Sequence, residues 1–171
     1  MTSRGNPDFR RPDLGDLEQA RVGVIGDTHG LLRPEAIEAL SGSNLIIHAG
    51  DAGKPGVLDA LREIAPVIAV RGNVDRGEWA ESLPEMELFT VAGAALYVLH
   101  DLHDLDIDPL KAEIQAVISG HSHRPSITKM DGVLYLNPGS AGPRRFKLPV
   151  TMARLEISGR QVSAQIVHLH S

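Results

Sequence analysis

Short motifs containing aspartate, asparagine and histidine recur along this sequence. They are Gly26-Asp-Thr-His-Gly30, His48-Ala-Gly-Asp51, Gly72-Asn73, His100 and Gly120-His-Ser-His123. Neutral imidazoles and carboxylates without a thiolate form a nitrogen and oxygen site suited to manganese, iron, zinc, cobalt or nickel. The candidate metal ligands are Asp27, His29, Asp51, Asn73, His100, His121 and His123. These seven groups exceed what one tetrahedral ion takes, so the sequence favours two ions that share a bridging carboxylate.

Each motif directly follows a predicted strand. Strands predicted over 21–25, 45–49 and 67–71 alternate with helices predicted over 34–40 and 55–63, and both helices begin at a proline. Nearly continuous apolar runs that alternate with helices indicate a sheet covered on both faces, with parallel strands in this half of the chain. Because the carboxyl ends of parallel strands share one edge, we expect the motifs to converge there.

The second half of the sequence is typical of antiparallel pairs. A hairpin is predicted around 92–93, helical residues over 108–115 and a strand over 116–119. Strands over 126–130 and 133–137 flank Asp131-Gly132, a strong two-residue turn, and a further hairpin turns at Ser158-Gly159. We expect one α/β domain over 21–171, preceded by a flexible, charged N-terminal extension over 1–20.

Composition excludes several classes of protein. The 171 residues are 42% hydrophobic and 23% charged, as in soluble globular domains. The net charge of −5 and the six aromatic residues argue against extended nucleic-acid binding. The absence of cysteine excludes a thiolate metal site and a cysteine nucleophile. Without a long apolar stretch or a signal-peptide pattern, the sequence predicts no membrane association and a cytoplasmic location.

The five motifs, in this order, resemble those of the calcineurin-like metallophosphoesterase superfamily, most closely its small single-domain bacterial and archaeal phosphodiesterases. The resemblance covers Arg21 to the C-terminus. It implies a four-layer α/β/β/α sandwich with mixed sheets and with metals at the carboxyl edge. The ligand sets that it implies are Asp27, His29 and His123 for one ion, Asn73, His100 and His121 for the other, and Asp51 as the bridge.

The resemblance also implies a reaction. The expected activity is a two-metal phosphodiesterase, in which a hydroxide bridging the ions attacks the phosphorus of a small phosphate ester. Asp51, Asn73 and His100 would take part in catalysis through the metal-bound hydroxide and phosphate. Manganese is the first expectation, with nickel, cobalt, iron or zinc as alternatives. A phosphomonoesterase or nucleotide pyrophosphohydrolase and a non-catalytic protein-interaction scaffold remain open, as does a homo-oligomer.

Two positions depart from the family pattern. Val74 stands where many members carry a histidine thought to protonate the leaving group, and valine cannot donate a proton. Hydrolysis should therefore depend strongly on the acidity of the leaving alcohol. Asp101 stands where glycine is usual, and it either orients a histidine or repels substrate.

A last set of residues could support the ligands or contact substrate. His48 lies within a predicted strand, so it supports the ligands or packs in the core, and His103 faces either the cleft or solvent. Asp75 pairs with the missing histidine in many relatives and here could cap the next turn. Candidate contacts to a substrate phosphate are Arg76, Arg144 and Arg145.

Overall fold

The first of two β-sheets contains the strands that carry the early motifs. The computed structural model describes Leu14 and residues 17–169. The strands of this sheet are β1 (Gln19–Ile25), β2 (Leu45–His48), β3 (Val67–Ala69), β9 (Thr151–Ser158) and β10 (Gln161–His168). Their order is β10-β9-β1-β2-β3, with β1, β2 and β3 parallel and β9 antiparallel to both of its neighbours. The prediction of parallel strands in this half is confirmed.

The second sheet carries the later motifs. Its strands are β4 (Met86–Val91), β5 (Ala94–Leu99), β6 (Ala116–Ile118), β7 (Ser126–Met130) and β8 (Val133–Asn137). Their order is β4-β5-β6-β8-β7, with a parallel centre and an antiparallel strand at each edge. The hairpins predicted around 92–93, at Asp131-Gly132 and at Ser158-Gly159 all form.

The main core lies between the two sheets. Val24 and Ile47 from the first sheet and Val98 and Ile118 from the second are fully buried in it. Since successive strand residues point to opposite faces, Ile46 belongs instead to the cluster on the outer face of the first sheet. Each sheet therefore buries both faces, which fits the nearly continuous apolar strands of the sequence.

Helices cover the outer face of the first sheet. They are α1 (Pro34–Leu40), α2 (Pro55–Arg62) and α3 (Glu78–Glu81), and Leu40 and Leu61 are fully buried. The outer face of the second sheet is covered by a 3-10 turn at Leu102–Asp104 and by the chain leading to β6, which buries Ile114. The four-layer arrangement is therefore confirmed, with an irregular fourth layer.

The helix predicted over 108–115 is wrong. The Ala112 amide donates to the Asp108 carbonyl as in a helix, but Glu113 takes a left-handed φ of 57°, which ends the helical path after one turn. Strand β1 begins at Gln19, two residues inside the predicted extension, and residues 1–13 and 15–16 of that extension lie outside the described residues. No described helix is both long enough and apolar enough to cross a bilayer.

Candidate metal centre

The candidate ligands lie in loops that follow five strands. Asp27 and His29 follow β1, Asp51 follows β2 and Asn73 follows β3, while His100 follows β5 and both His121 and His123 follow β6. The two sheets present these strand ends at a common edge. The structure therefore brings together side chains that are up to 96 residues apart, the separation of Asp27 and His123.

One group of ligand atoms comes from Asp27, His29 and His123. These atoms lie within 4.8 Å of one another. His29 Nε2 is 3.3 Å from His123 Nε2, which is 3.6 Å from Asp27 Oδ1. Two imidazole nitrogens and a carboxylate oxygen at this spacing suit a divalent transition metal.

A second group comes from Asp51, His100 and His121, again within 4.8 Å of one another. His100 Nε2 is 3.1 Å from Asp51 Oδ2 and 3.0 Å from Asn73 Oδ1. Asp51 Oδ2 also lies 3.8 Å from His29 Nε2 in the first group. Asp27 Oδ1 also approaches both groups, at 3.6 Å from His123 Nε2 and 3.9 Å from His100 Nε2. Asp51 makes the shorter contacts of the two carboxylates, at 3.1 Å and 3.8 Å.

The buried polar atoms fit cations at both positions. Asp27 Oδ1 is buried without a hydrogen-bond partner, and burial raises the pKa of Asp27 to about 7. His100 Nδ1–H donates to the Ala49 carbonyl at 2.8 Å, so Nε2 is free to act as a ligand beside the oxygens of Asp51 and Asn73. An unpaired buried carboxylate oxygen costs free energy that a bound cation would offset.

The contact between His100 and Asp51 shifts the pKa of both side chains. Burial disfavours a charged His100, but hydrogen bonds with Asp51 and the Ala49 carbonyl raise its pKa above the usual range. Burial also disfavours a charged Asp51, yet hydrogen bonds from His100 and the Val74 amide lower its pKa. The hydrogen bond between these two side chains therefore favours a protonated His100 and an ionised Asp51.

Five ligands have a left-handed backbone conformation, and they make up more than half of the nine described non-glycine residues with positive φ. They are Asp27, His29, Asp51, His121 and His123, with φ between 46° and 72°. Such conformations cost roughly 1–3 kcal/mol each and persist where the surrounding structure imposes them. Their concentration in these loops marks the site independently of residue type.

Two glycines allow the loops to approach closely. A Cβ on Gly72 would overlap the carboxylate and backbone of Asp51, and a Cβ on Gly50 would overlap the His100 ring. A larger residue at either position would displace a candidate ligand.

Asp75 ties the loops after β2 and β3 together. Its carboxylate accepts hydrogen bonds from the backbone amides of Asp51 at 3.0 Å, Gly53 at 2.9 Å and Gly72 at 2.8 Å. It therefore binds its own preceding turn, rather than capping the next turn as the sequence suggested, and it also fixes the loop that carries Asp51.

His48 supports the ligand loops from inside the sheet. It is fully buried, and burial lowers its pKa to about 3, so it is neutral. Its Nδ1 accepts from the Gly50 amide at 3.2 Å, which leaves Nε2–H to donate to the Thr28 hydroxyl at 3.0 Å. That hydroxyl donates in turn to the Ala52 carbonyl at 3.1 Å. Sequence reasoning did not single out Thr28, although its position between Asp27 and His29 is a signal for such a role.

Asp101 faces a histidine of the site. Its Oδ2 is 3.8 Å from His121 Nε2, and its Oδ1 accepts from the backbone amide and Nδ1–H of His103. Slight burial opposes ionisation, but these hydrogen bonds lower the pKa of Asp101. His103 itself is 94% exposed, so it faces solvent.

A cleft of about 650 Å³ opens beside the second group of ligands. Its lining includes Asn73, Arg76, Met86, His100, Asp101 and His121. Arg144 and Arg145 are not among the residues that line this cleft and lie on an exposed loop. Burial is the largest cause in both cases, raising the pKa of Asp27 and lowering that of His123. The positive charge of Arg145 opposes the shift of Asp27 and adds to the shift of His123. Arg145 therefore acts on the first group.

A match over most of the sequence identifies the family of this chain. Residues 21–160 match the family model described as the calcineurin-like phosphoesterase superfamily domain. The chain belongs to this superfamily. It is also 35% identical over 158 residues to a probable metallophosphoesterase of Methanothermobacter thermautotrophicus, covering 85% of this chain and 91% of that relative.

Solved structures share the fold at lower identity. An archaeal phosphodiesterase has a TM-score of 0.72 at 22% identity, covering 86% of this chain and 99% of that one. Vacuolar protein sorting 29 of Cryptosporidium parvum has a TM-score of 0.76 at 20% identity, covering 89% and 92% of the two chains. The superfamily fold predicted from the motifs is therefore confirmed.

Proposed function

We propose that this chain is a metal-dependent phosphodiesterase that holds two divalent ions, with manganese as the first choice. The observation that carries the proposal is the position of Asp51. Its Oδ2 lies 3.1 Å from His100 Nε2 in one group of ligands and 3.8 Å from His29 Nε2 in the other. A carboxylate shared in this way is what a two-metal site requires.

The ligand sets follow from the two groups. Asp27, His29 and His123 would hold one ion, Asn73, His100 and His121 the other, and Asp51 would contact both. Two such ions lower the pKa of water and neutralise charge on a phosphate ester. The hydrogen bond from His100 Nδ1–H to Ala49 keeps the imidazole in the required tautomer.

Asp101 favours diesters over monoesters. It lines the cleft beside His100 and His121, and its lowered pKa keeps it ionised near neutral pH. A monoester dianion brings one more negative charge to this wall than a diester monoanion does. Arg76 in the cleft and Arg145 beside the first group would bind the phosphate from two sides.

Val74 should also make the rate depend on the acidity of the leaving group. Its backbone amide donates to Asp51 Oδ1 at 3.0 Å, so the residue lies beside the site, but its side chain has no proton to give. Esters whose leaving groups are acidic need no such proton. Aryl diesters should therefore be better substrates than alkyl diesters.

Hydrolysis of two nitrophenyl esters tests the proposal. Chelator-treated protein is resupplied with Mn²⁺ and given bis(p-nitrophenyl) phosphate or p-nitrophenyl phosphate. We expect faster turnover of the diester. A faster monoester reaction would replace the proposal with a phosphomonoesterase, and stoichiometric metal without hydrolysis of either ester would favour a non-catalytic scaffold.

Replacement of the shared carboxylate makes the same test specific to the site. Asp51→Asn should reduce turnover by about 10³-fold or more, because the amide cannot supply the negative charge that two ions share. Elemental analysis should find fewer than two ions per chain. The matched control is Asp59→Asn on α2, where the side chain is 72% exposed. Wild-type turnover with full metal content in Asp51→Asn would contradict the assignment.

A further inference from the structure

The loop over residues 141–149 begins and ends beside the metal centre. A β-bridge between Ser140 and Val150 holds its two ends together. Within it, the Leu148 amide donates to the Arg145 carbonyl at 3.1 Å, which closes a turn at the tip. These two contacts give the loop a defined conformation at its base and at its tip.

The base of this loop rests on the first metal-ligand motif. The Ala141 amide donates to the Gly26 carbonyl at 3.2 Å, and the Ser140 hydroxyl donates to the Asp27 carbonyl at 2.9 Å. A Cβ on Gly142 would overlap the carbonyls of Asp27 and Thr28. The loop thus cannot move away from Asp27 without breaking these contacts.

The tip carries an exposed aromatic ring among cations. Phe146 is 90% exposed, whereas the next most exposed large apolar side chain described, that of Met130, is 58% exposed. Phe146 also has a φ of 55°, an unfavourable conformation for a bulky residue. Arg144, Arg145 and Lys147 flank it. The exposed ring contributes almost nothing to the core, and its backbone conformation is unfavourable. Both facts point to a role in binding.

The loop and the cleft lie beside different groups of ligands. The base of the loop contacts the backbone of Asp27, a member of the first group, through the Ser140 hydroxyl and the close approach of Gly142. The cleft is lined instead by His100 and His121 of the second group. A phosphodiester has two ester arms, so one arm can enter the cleft while the other extends toward the loop.

We propose that Phe146 determines substrate specificity by stacking on a planar aromatic arm of the phosphodiester, a nucleobase or an aryl group, while Arg145 faces the phosphate. The inference rests on the proposed phosphodiesterase function and names its substrate class. An aromatic ring offers a planar group a flat apolar surface, and the neighbouring guanidinium favours an anionic ester. One exposed ring accommodates one planar group, which matches a small diester better than a nucleic-acid strand.

Binding of three methyl diesters tests the inference without requiring turnover. Dimethyl phosphate, methyl phenyl phosphate and adenosine 5′-methyl phosphate share one arm and differ in the other. Calorimetry on the Mn²⁺-loaded protein should show that the two aromatic esters bind about 3- to 10-fold more tightly than dimethyl phosphate. The comparison between phenyl and adenosine esters identifies which aromatic group the loop prefers.

Variants assign that preference to the ring. Phe146→Ala should bring the affinities of the aromatic esters down to that of dimethyl phosphate, and Phe146→Trp should retain the preference. The control is Met130→Ala, which removes an exposed apolar side chain from the end of β7 that pairs with Val133 at the hairpin turn. It should leave all three affinities unchanged.

The result overturns the inference if Phe146→Ala keeps the aromatic preference or weakens all three esters equally. The absence of any aromatic preference in the wild type overturns it as well. Failure of the proposed function is a separate outcome, because it appears as absent hydrolysis of bis(p-nitrophenyl) phosphate while the binding preference can still be measured.

Discussion

Asp27 and Asp51 are two carboxylates of one site in different environments. Asp27 is fully buried with one unpartnered oxygen, and burial raises its pKa to about 7. Although burial acts in the same direction on Asp51, hydrogen bonds from His100 and Val74 lower its pKa. Near neutral pH the metal-free protein therefore has a charged Asp51 and a partly protonated Asp27. An ion held by the first group of ligands, as proposed, would displace that proton.

Val74→His should relax the dependence of hydrolysis on the leaving group. In the wild type, the logarithm of the rate should fall steeply as the leaving-group pKa rises across a series of methyl aryl phosphates. Val74 is 42% exposed, so an imidazole has access to solvent and to the site. It should raise the rates of the poorest leaving groups by about 10-fold or more, which flattens the slope.

Val74→Leu is the matched control, because leucine also lacks a proton donor and should keep the steep slope. A flat dependence in the wild type, with chemistry shown to limit the rate, would mean that another group already protonates the leaving alcohol.

His48→Gln should change how the stability of the metal-free protein depends on pH. Burial lowers the pKa of His48 from 6.5 to about 3. Between these values the unfolded state binds the additional proton, so this residue's contribution is complete above pH 6.5 and is lost as the pH falls toward 3. Removing it should reduce the slope of unfolding free energy against pH by about 1.4 kcal/mol per unit between pH 6 and pH 4.

Glutamine can keep both hydrogen bonds of His48, to the Gly50 amide and the Thr28 hydroxyl, so the fold should persist. Urea unfolding at a series of pH values measures the slope. His168→Gln, at an exposed position on β10, serves as the comparison. Equal slopes for wild type and His48→Gln would show that His48 is not held neutral.

At the scale of elements, the site depends on how loops leave the strands. Asp51 lies three residues after β2 in a left-handed conformation with a φ of 59°. Gly72, after β3, has no side chain that would overlap the Asp51 carboxylate. Asp75 then fixes both loops through backbone amides. The strands supply position, and these local contacts supply the final orientation of the ligand.

Asp75→Asn should weaken metal binding without removing a ligand. The carboxylate accepts from three backbone amides, whereas an asparagine side chain has one acceptor oxygen and presents an NH₂ group to the rest. We expect Mn²⁺ affinity to fall by about 10- to 100-fold, since supporting contacts of this kind typically have that effect. Calorimetric titration with Mn²⁺ gives the affinity.

Asp131→Asn in the exposed turn between β7 and β8 is the corresponding control, because asparagine also tolerates its left-handed φ of 53°. Unchanged Mn²⁺ affinity in Asp75→Asn would mean that the loops hold their shape without this carboxylate.

At the scale of the whole molecule, the site joins the two sheets. Asp27, Asp51 and Asn73 follow strands of the first sheet, while the later histidines follow strands of the second. Each proposed ion would take ligands from both sheets. Metal binding should therefore stabilise the packing of one sheet on the other as well as prepare the site for chemistry.

Removal of metal should lower the melting temperature together with activity. An ion that binds only the folded protein contributes about 2.7 kcal/mol when present at 100 times its Kd. For a chain of 171 residues this corresponds to a shift of roughly 5–10 °C per ion. Scanning calorimetry after chelation and after resupply of Mn²⁺ measures the shift, and activity should return with it. Asp51→Asn should show a smaller rise on Mn²⁺ addition. Normal turnover by protein that elemental analysis shows to be metal-free would contradict a two-metal mechanism.

Local patterns in the sequence determined the strands, the hairpin turns and the edge at which the ligand loops meet. Apolar periodicity identified the strands, Asp131-Gly132 identified a turn, and the place of each motif after a strand predicted their convergence. These features depend on neighbouring residues, so a sequence displays them directly. The helix expected over 108–115 does not form, because Glu113 takes a left-handed conformation that its local helix propensity does not predict.

The tertiary structure alone decided what depends on residues distant along the chain. Asp75 reaches the amide of Asp51 across 24 residues, and Ser140 reaches the carbonyl of Asp27 across 113. The exposure of Phe146 at the tip of a loop whose base contacts Asp27 is likewise visible only after folding. Hydrogen bonds between side chains and backbone leave no periodic pattern in the sequence, because any polar residue brought to the right place can make them. For that reason the sequence predicted which residues meet, and the fold determined how they are held.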